Sequence, residues 1–300
     1  MHAYMMKGLF PVNRKTGKCG GPRLTAPTGA AEPRRAAQTM PDRHRQHAPK
    51  RHRTAGHEDR QTLIFGIHAV EAALANQQRK VRRLYLTDNA EIRLRPALTA
   101  RQLTHERTQP RDLDRRLGAD TVHQGALLET DPLPEPDLAE LADGAAGRPI
   151  VVLDQVTDPH NVGAILRSAA VFGAAGLVMT RRHSPPLDGA LAKSASGALE
   201  HVPVALVQNL ARALAELKEL DFIVIGLDGD ADDRLEDIDW PERAALVLGA
   251  EGKGLRQLTR DSCDRLVRIG TDGPLASLNV SNAAAVALHL AAMRRLQLRA

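Results

Sequence analysis

The 300-residue chain has few aromatic side chains and only two cysteines. Seven Phe, Trp and Tyr residues cannot provide the stacking platforms that hold single-stranded nucleic acid in many proteins. Cys19 and Cys263 form neither a zinc-ligand spacing nor a disulfide framework, so we expect a reducing compartment and no metal. No apolar run has the length of a membrane span, and we therefore expect a cytoplasmic protein.

Basic charge is concentrated at the amino terminus. Residues 1–60 contain 13 Lys and Arg against 4 Asp and Glu, whereas the other 240 residues contain 28 against 32. This arm lacks apolar periodicity and is predicted to be disordered. It could bind RNA phosphates through counterion release. A solvated extension, a gene start called too early (Met40 is a later candidate) and a mitochondrial address remain open alternatives.

Residues 61–131 are predicted to form a small α/β domain. The stretch 63–76 indicates a segment that leads into a short amphipathic helix, and 110–118 indicates a second helix that ends at a glycine. The apolar segments 81–88 and 125–130 indicate strands. Residues 132–148 are acidic and rich in Pro, Gly and Ala, a composition that predicts a linker.

Residues 149–300 alternate between apolar runs and helical patterns. Six strands are predicted, at 150–154, 176–180, 202–207, 221–228, 244–249 and 265–270. Helices are predicted at 161–173, 187–198 and 208–220, with a final helix towards the carboxyl terminus. Such alternation predicts an α/β fold with a parallel sheet covered by helices on both faces.

Three polar segments lie directly after predicted strands of this sheet. Ligands of parallel sheets bind beyond the carboxyl ends of the strands, so the three segments are predicted to meet at one site. The loop "GAEGKG" (249–254) matches neither the phosphate loop nor the dinucleotide fingerprint, which disfavours a nicotinamide-dependent oxidoreductase. Asn161 and Arg167 are six residues apart, nearly two helical turns, so they do not align exactly on one helix face. With Asn161 at the start of the helix, Arg167 could project along the same side of the cleft; for this helix alone, a cap and a surface charge are the alternative interpretation.

Taken together, the three segments carry a resemblance. "LDQVTDPHNVGAILRSA" (153–169), "LVLGAEGKGL" (246–255) and "SLNVSNAAAVAL" (277–288) closely resemble the three motifs of the SpoU/TrmH-type RNA 2′-O-ribose methyltransferases of the SPOUT superfamily. "GIHAVEAAL", "VHQG" and "AKSASGALEHVPV" are further similar to members that modify guanosine in large-subunit (23S) ribosomal RNA. The resemblance covers roughly residues 63–297, and three ordered motifs are far more specific than one.

The resemblance implies a fold, a cofactor and partners. We expect the carboxyl-terminal domain, 149–300, to carry a trefoil knot in its parallel sheet and to bind S-adenosylmethionine. The small domain is expected to be similar to a ribosomal-protein-like RNA-binding domain that selects the substrate. We expect a homodimer that acts on 23S ribosomal RNA or a ribosome precursor. The tRNA-specific relatives usually lack the small domain, which favours ribosomal RNA.

Motif positions also imply the site residues. The expected catalytic residues are Asn161, Arg167, Glu251 and Asn279. The expected S-adenosylmethionine contacts are Gly249, Ala250, Gly254, Ile269, Ser277 and Leu278. The expected RNA contacts are His123, Gln124 and Arg167, although His123 could equally be a polar residue at a strand edge.

Arg167 is expected to orient the ribose by holding the adjacent phosphate, because a guanidinium stays protonated in proteins. The proton of the 2′-hydroxyl could pass to that phosphate, to Glu251 or to a perturbed Arg167. A tRNA ribose methyltransferase, an adenosine-specific ribosomal RNA enzyme and a non-catalytic RNA-binding or ribosome-assembly protein of the same fold remain alternatives.

Overall fold

A computed structural model describes residues 61–273 and 278–297 of the chain. These residues belong to one compact unit. The basic arm 1–60 and Ser277 lie outside the described residues, so the predictions for them stay predictions. Within the described part of the chain, no helix is long and apolar enough to cross a membrane.

The first sheet is built by residues 62–130. Its elements are β1 (Thr62–Phe65), α1 (Ile67–Ala75), β2 (Val81–Leu86), α2 (Asp88–Arg101), β3 (Glu106–Arg107), α3 (Pro110–Leu117) and β4 (Ala126–Thr130). The strand order is β1-β4-β2-β3, and β4 runs antiparallel to both β1 and β2. The structure therefore confirms the two predicted strands and the helices at both predicted positions.

Helix α2 has no counterpart in the sequence prediction. It buries only Ala90, Leu94 and Leu98, which recur every fourth residue, and Pro96 lies inside it. A proline within a helix removes one backbone hydrogen bond and normally indicates an end. The helix forms because its narrow apolar stripe packs into the main core, a tertiary contact that overrides the local breaker signal.

The second sheet is built by residues 150–268. Its strands are β5 (Ile150–Asp154), β6 (Gly176–Thr180), β7 (Val204–Val207), β8 (Ile223–Leu227), β9 (Asp233–Arg234), β10 (Ala244–Gly249) and β11 (Arg265–Arg268). The strand order is β7-β6-β5-β10-β8-β11-β9, and every pair is parallel. This confirms the predicted parallel sheet and adds the short β9.

Helices cover both faces of this sheet. After α4 (Leu138–Asp143), the helices are α5 (Pro159–Phe172), α6 (Gly189–Ala195), α7 (Leu210–Glu219), α8 (Gln257–Asp261) and α9 (Val280–Gln297). Side chains of α5, α6 and α9 pack on one face of the sheet, and those of α4 and α7 pack on the other. The buried strands read as continuous apolar runs because neither face meets water.

The segment 132–148 is more ordered than a linker. Asp137 accepts a hydrogen bond from the Glu140 backbone, and the Glu140 carboxylate accepts one from Asp137. This capping box starts α4, whose Leu138 and Leu141 are buried in the core beneath α7. The assignment of 132–148 as a linker between domains stays a prediction, and the structure adds that the segment contains a short helix, which three buried apolar residues anchor.

The two sheets share one core. The buried residues of α1 and α2 belong to the same apolar cluster as those of α5 and α6. Arg79, in the turn before β2, forms an ion pair with Glu200 in which both side chains are almost completely buried. The first sheet is therefore packed firmly against the second, and the ion pair lies in that junction.

Candidate functional site

Helix α5 presents Asn161 one turn inside the helix. Asp158 is the N-cap, and its carboxylate accepts the His160 backbone N–H at 2.9 Å. Pro159 follows in the first helical position, where its missing N–H is harmless. Asn161 is therefore not needed as the cap, and its amide is available to other partners.

A tight loop follows β10 and projects Glu251. The Ala250 carbonyl accepts the Gly254 N–H at 2.9 Å, and Gly252 and Gly254 have positive φ values of 76° and 64°. The loop folds back so closely that a Cβ on Gly249 would lie 2.1 Å from the Gly254 carbonyl carbon. Only glycine fits at position 249 for this reason.

Asn279 performs two tasks at the start of α9. Its Oδ1 accepts hydrogen bonds from the Ser281 backbone N–H at 2.9 Å and from the Ser281 hydroxyl at 2.6 Å. These bonds cap the helix and fix the orientation of the amide. The Nδ2 group consequently points towards α5 and the loop after β10.

The three polar segments meet, as the sequence predicts. Asn279 Nδ2 donates to Asn161 Oδ1 at 3.1 Å and to Glu251 Oε2 at 3.0 Å. Asn161 Nδ2 donates to the same Glu251 oxygen at 3.3 Å. Two amides thus hold one carboxylate oxygen. Among the described residues no group bonds to Glu251 Oε1, which leaves that oxygen available to a ligand.

Arg167 does not join this cluster within the chain. It lies about 9 Å further along the axis of α5 than Asn161 and about 120° around it. Its side chain is exposed and makes no hydrogen bond or ion pair with any residue that the structure describes. Val171, which is 76% exposed, lies one turn further along the same side of α5.

The residues expected to hold the cofactor surround the carboxyl ends of β10 and β11. Gly249, Ala250 and Gly254 form the loop after β10, and Ile269 directly follows β11. Leu278, just before α9, is an exposed apolar side chain. A Cβ on Gly254 would meet nothing within 4 Å, so the loop backbone is open on that side. Open glycine backbone beside aliphatic side chains fits a ligand that combines an apolar ring with hydrogen-bonding edges.

The predicted RNA contacts on the first sheet differ from each other. His123 is buried; its Nδ1 accepts the Gly125 N–H at 3.0 Å, so Nε2 carries the hydrogen and donates to Asp114 at 3.1 Å. Gln124 is exposed, and its Oε1 accepts the Ile67 N–H at the start of α1. The structure therefore favours the alternative interpretation of His123, as a residue that orders the turn, and leaves the Gln124 amide N–H groups available.

Two residues next to the site were assigned no role in the sequence analysis. Asp154 ends β5 and is completely buried, and Arg256 follows the glycine-rich loop. Arg256 donates to Asp154 through its backbone N–H at 3.0 Å and through Nε at 2.6 Å. A carboxylate at the end of an otherwise apolar strand was the signal that could have drawn attention to Asp154. Across residues 61–273 and 278–297, no group of three His, Cys, Asp or Glu side chains could hold a metal ion.

Two family models match the chain. The model of the SpoU rRNA methylase family matches residues 148–289. A model described as RNA 2′-O ribose methyltransferase substrate binding matches residues 63–136. The two matches cover the second and first sheets, respectively.

Several named proteins are similar in sequence. A 23S rRNA (guanosine-2′-O-)-methyltransferase of Ralstonia nicotianae is 41% identical over 238 residues, which cover 78% of this chain and 96% of that protein. The enzyme with the same description from Pseudomonas syringae pv. tomato is 38% identical over 240 residues, which cover 77% of this chain and 95% of that protein.

Solved structures are similar as well. The SpoU methyltransferase AviRb from Streptomyces viridochromogenes has a TM-score of 0.67 at 25% identity, covering 79% of this chain and 90% of that one. A putative RNA methyltransferase of the TrmH family from Porphyromonas gingivalis has a TM-score of 0.63 at 27% identity, covering 78% and 90%. AviRb has also been solved with AdoMet, with a TM-score of 0.67 at 24% identity, covering 79% and 91%.

Proposed function

Since the chain belongs to the SpoU RNA methylase family, we propose that it transfers a methyl group from S-adenosylmethionine to the ribose 2′-hydroxyl of a guanosine in 23S ribosomal RNA. The similarity to 23S rRNA guanosine methyltransferases extends over more than nine tenths of their length and includes the first sheet. The observation that supports the chemistry is the convergence of Asn161, Glu251 and Asn279 from three distant segments.

We place the cofactor beside the loops that follow the carboxyl ends of β10 and β11. When bound, S-adenosylmethionine supplies a methyl group attached to a positively charged sulfur. The backbone of Gly249, Ala250 and Gly254 would line its pocket, with Ile269 and Leu278 completing it; the expected contact of Ser277, which lies outside the described residues, stays a prediction. Aliphatic side chains would exclude water from the reacting atoms, and hydrogen bonds from the backbone groups would give the pocket its specificity.

Glu251 is the proton acceptor in this proposal. A ribose hydroxyl is a poor nucleophile until its proton is removed. Asn161 and Asn279 hold Oε2 of Glu251 and so fix the direction of Oε1. Oε1 would accept the hydroxyl proton while the 2′-oxygen takes the methyl group, and the electron pair of the broken carbon–sulfur bond would stay on the sulfur as a neutral thioether. Orientation of this kind can remove several kcal/mol from a reaction barrier.

Arg167 binds the phosphate next to the target ribose in our proposal, and a second copy of the chain completes the site. Arg167 and Val171 are exposed on α5, a helix that packs against α9. The exposed apolar residues of α9 are Val286, Met293 and Leu296. We refer to Val171, Val286, Met293 and Leu296 as the α5/α9 face. Burying this face in a homodimer would bring Arg167 to the interface, where the partner's loops could share the RNA with it.

The domain organisation and the finer fold remain part of this proposal. Residues 61–131 would form a ribosomal-protein-like RNA-binding domain that uses Gln124, and residues 149–300 would form the catalytic domain. A trefoil knot in the catalytic domain is supported by the membership of the chain in the SpoU family. The cell compartment that fits an enzyme of ribosomal RNA is the cytoplasm.

The deciding experiment is Arg167→Ala, assayed with tritiated methyl donor on unmodified 23S ribosomal RNA. Binding of S-adenosylmethionine, measured by calorimetry, should be unchanged, while methylation should fall about a hundredfold or more. Near-normal turnover of the variant would refute the role of Arg167. Methylation of tRNA but not of 23S RNA by the wild-type protein would refute the proposed substrate.

A further inference from the structure

Two aspartates at the ends of the strands that flank β10 bind the segment that follows β10. Asp154 ends β5 and holds Arg256, whereas Asp228 directly follows β8 and holds Arg260, with a distance of 2.7 Å between Asp228 Oδ2 and Arg260 Nη1. Strands β5 and β8 are the two neighbours of β10 in the sheet. Two aspartates at the carboxyl edge of the sheet therefore fasten one segment, at positions four residues apart.

The bond to Asp154 is the tighter of the two attachments. Asp154 has no exposed surface, and each of its carboxylate oxygens accepts one hydrogen bond from Arg256. A buried carboxylate is tolerated only when charge and hydrogen bonds compensate it. Because one of these bonds comes from the backbone, the main chain at Arg256 is held directly at the end of β5.

This attachment limits the conformations of the loop that carries Glu251. Gly249 pairs with Asp154 in the register of β10 and β5, so the loop starts beside the residue that also holds its end. Only six residues separate Gly249 from Arg256. Both ends of a short loop are thus fixed on one residue, which keeps Glu251 within reach of Asn161 and Asn279.

We propose that Asp154 and Arg256 are positioning residues that fix the loop 250–254 for cofactor binding and methyl transfer. The proposal rests on the proposed site, because it assigns this loop to the S-adenosylmethionine pocket and Glu251 to the chemistry. Asp154 and Arg256 act through the loop and touch no reacting atom. A small displacement of a catalytic group lowers the rate strongly, so the ion pair contributes to function as well as to stability.

The test compares Arg256→Lys with Arg260→Lys. Both substitutions keep the positive charge and remove a guanidinium that bonds an aspartate at the sheet edge, but only Arg256 adjoins the loop. For Arg256→Lys, and for Asp154→Asn, we expect the Kd for S-adenosylmethionine to rise about tenfold, the loss of roughly one charge-assisted hydrogen bond. The kcat should fall, and the KM for RNA should change less than about twofold. Arg260→Lys should leave Kd and kcat within about twofold of wild type.

Amide hydrogen exchange in the cofactor-free protein gives a readout that is independent of activity. Exchange of the Gly254 amide should accelerate in Asp154→Asn and stay unchanged in Arg260→Lys, because the Gly254 N–H bonds within the loop. If a single variant fails to fold, the pair Asp154→Asn with Arg256→Gln removes both charges together and takes its place in the same measurements.

Unchanged cofactor affinity, kcat and loop exchange in folded Arg256→Lys and Asp154→Asn would overturn this inference. The proposed catalytic site is tested separately, by the methylation activity of Asn161→Ala and Arg167→Ala. Full methylation by those two variants would refute the proposed site, whereas the effect of Arg256 on cofactor affinity and loop exchange would remain.

Discussion

Asn279 donates its side-chain amide to Glu251 at 3.0 Å although the two residues are 28 positions apart. The same side chain caps α9 through its Oδ1. One residue therefore starts the partly buried helix α9 and orients the carboxylate that we assign to proton transfer. This double role explains why polar side chains precede an apolar helix, and it allows the two tasks to be separated by substitution.

Asn279→Asp should keep the cap and lose catalysis. The aspartate retains an oxygen for the Ser281 N–H and suits a helix amino terminus, but it presents an oxygen to Glu251 where the amide donated a hydrogen. We expect kcat to fall about a hundredfold, as measured by methyl transfer to 23S RNA.

Asn279→Ala is the matched variant, because it loses both tasks. Loss of the cap should cost about 1 kcal/mol of unfolding free energy, so its thermal midpoint should lie below that of Asn279→Asp. Turnover of Asn279→Asp within a few-fold of wild type would contradict the role given to the amide.

The buried ion pair between Arg79 and Glu200 should stabilise the junction of the two sheets. Glu200 also accepts the Asn76 amide at 2.8 Å, and Arg79 donates to the Asp131 carbonyl at 3.1 Å. Glu200→Gln leaves the buried guanidinium without a countercharge, which should lower the unfolding free energy by about 3 kcal/mol.

Urea unfolding, with Asp237→Asn as the control, tests that expectation. Asp237 is exposed and pairs with Arg234 at a distance of 3.7 Å, so its substitution should leave the midpoint nearly unchanged. A midpoint for Glu200→Gln equal to that of the control would show that the ion pair adds nothing to the junction.

The α5/α9 face should be the dimer interface. Val171→Glu removes an apolar side chain that is already exposed, so it should not impair folding but should convert a dimer into a monomer in sedimentation equilibrium. Ile92→Glu is the control, because Ile92 is 61% exposed on α2, outside that face. A monomeric wild-type protein, or a dimer that survives in Val171→Glu combined with Met293→Glu, would be inconsistent with this interface.

Asp188 should make the fold less stable at neutral pH. Desolvation by burial raises the pKa of this carboxyl above its ordinary value. The folded state therefore prefers the protonated form. Below the ordinary pKa both states are protonated and the penalty is absent; stability is lost as the pH rises through the raised value.

Asp188→Asn should consequently raise the thermal midpoint at pH 7 and change it much less near pH 4. Asp188 makes no capping hydrogen bond to α6, so its replacement by asparagine removes no capping contact. The exposed Asp239, changed to Asn, serves as the control across the same pH range. An equal gain for Asp188→Asn at both pH values would exclude the ionisation of Asp188 as its cause.

The local sequence pattern was sufficient to predict most strands and the approximate location of the site. Apolar runs predict β5, β6 and β10, because strands that are buried on both faces consist mostly of apolar residues. The parallel arrangement then predicts that polar segments at the carboxyl ends converge. The contacts among Asn161, Glu251 and Asn279 confirm this convergence.

Several details could not be predicted from local pattern. Asp158, and not Asn161, caps α5; the choice depends on the backbone angles at the turn. Helix α2 forms despite Pro96, and His123 turns its ring inward to Asp114. Each outcome depends on partners that are brought close only when the chain is folded.

The amino-acid sequence by itself determined the alternation of strands and helices, the concentration of basic charge in residues 1–60 and the motifs that assign the chain to its family. Only the tertiary structure decided that β10 lies between β5 and β8, that Asp154 holds Arg256, and that Asp158 caps α5. The physical reason is range: periodicity is encoded within a few residues, whereas the pairing of groups a hundred positions apart depends on how the whole core packs.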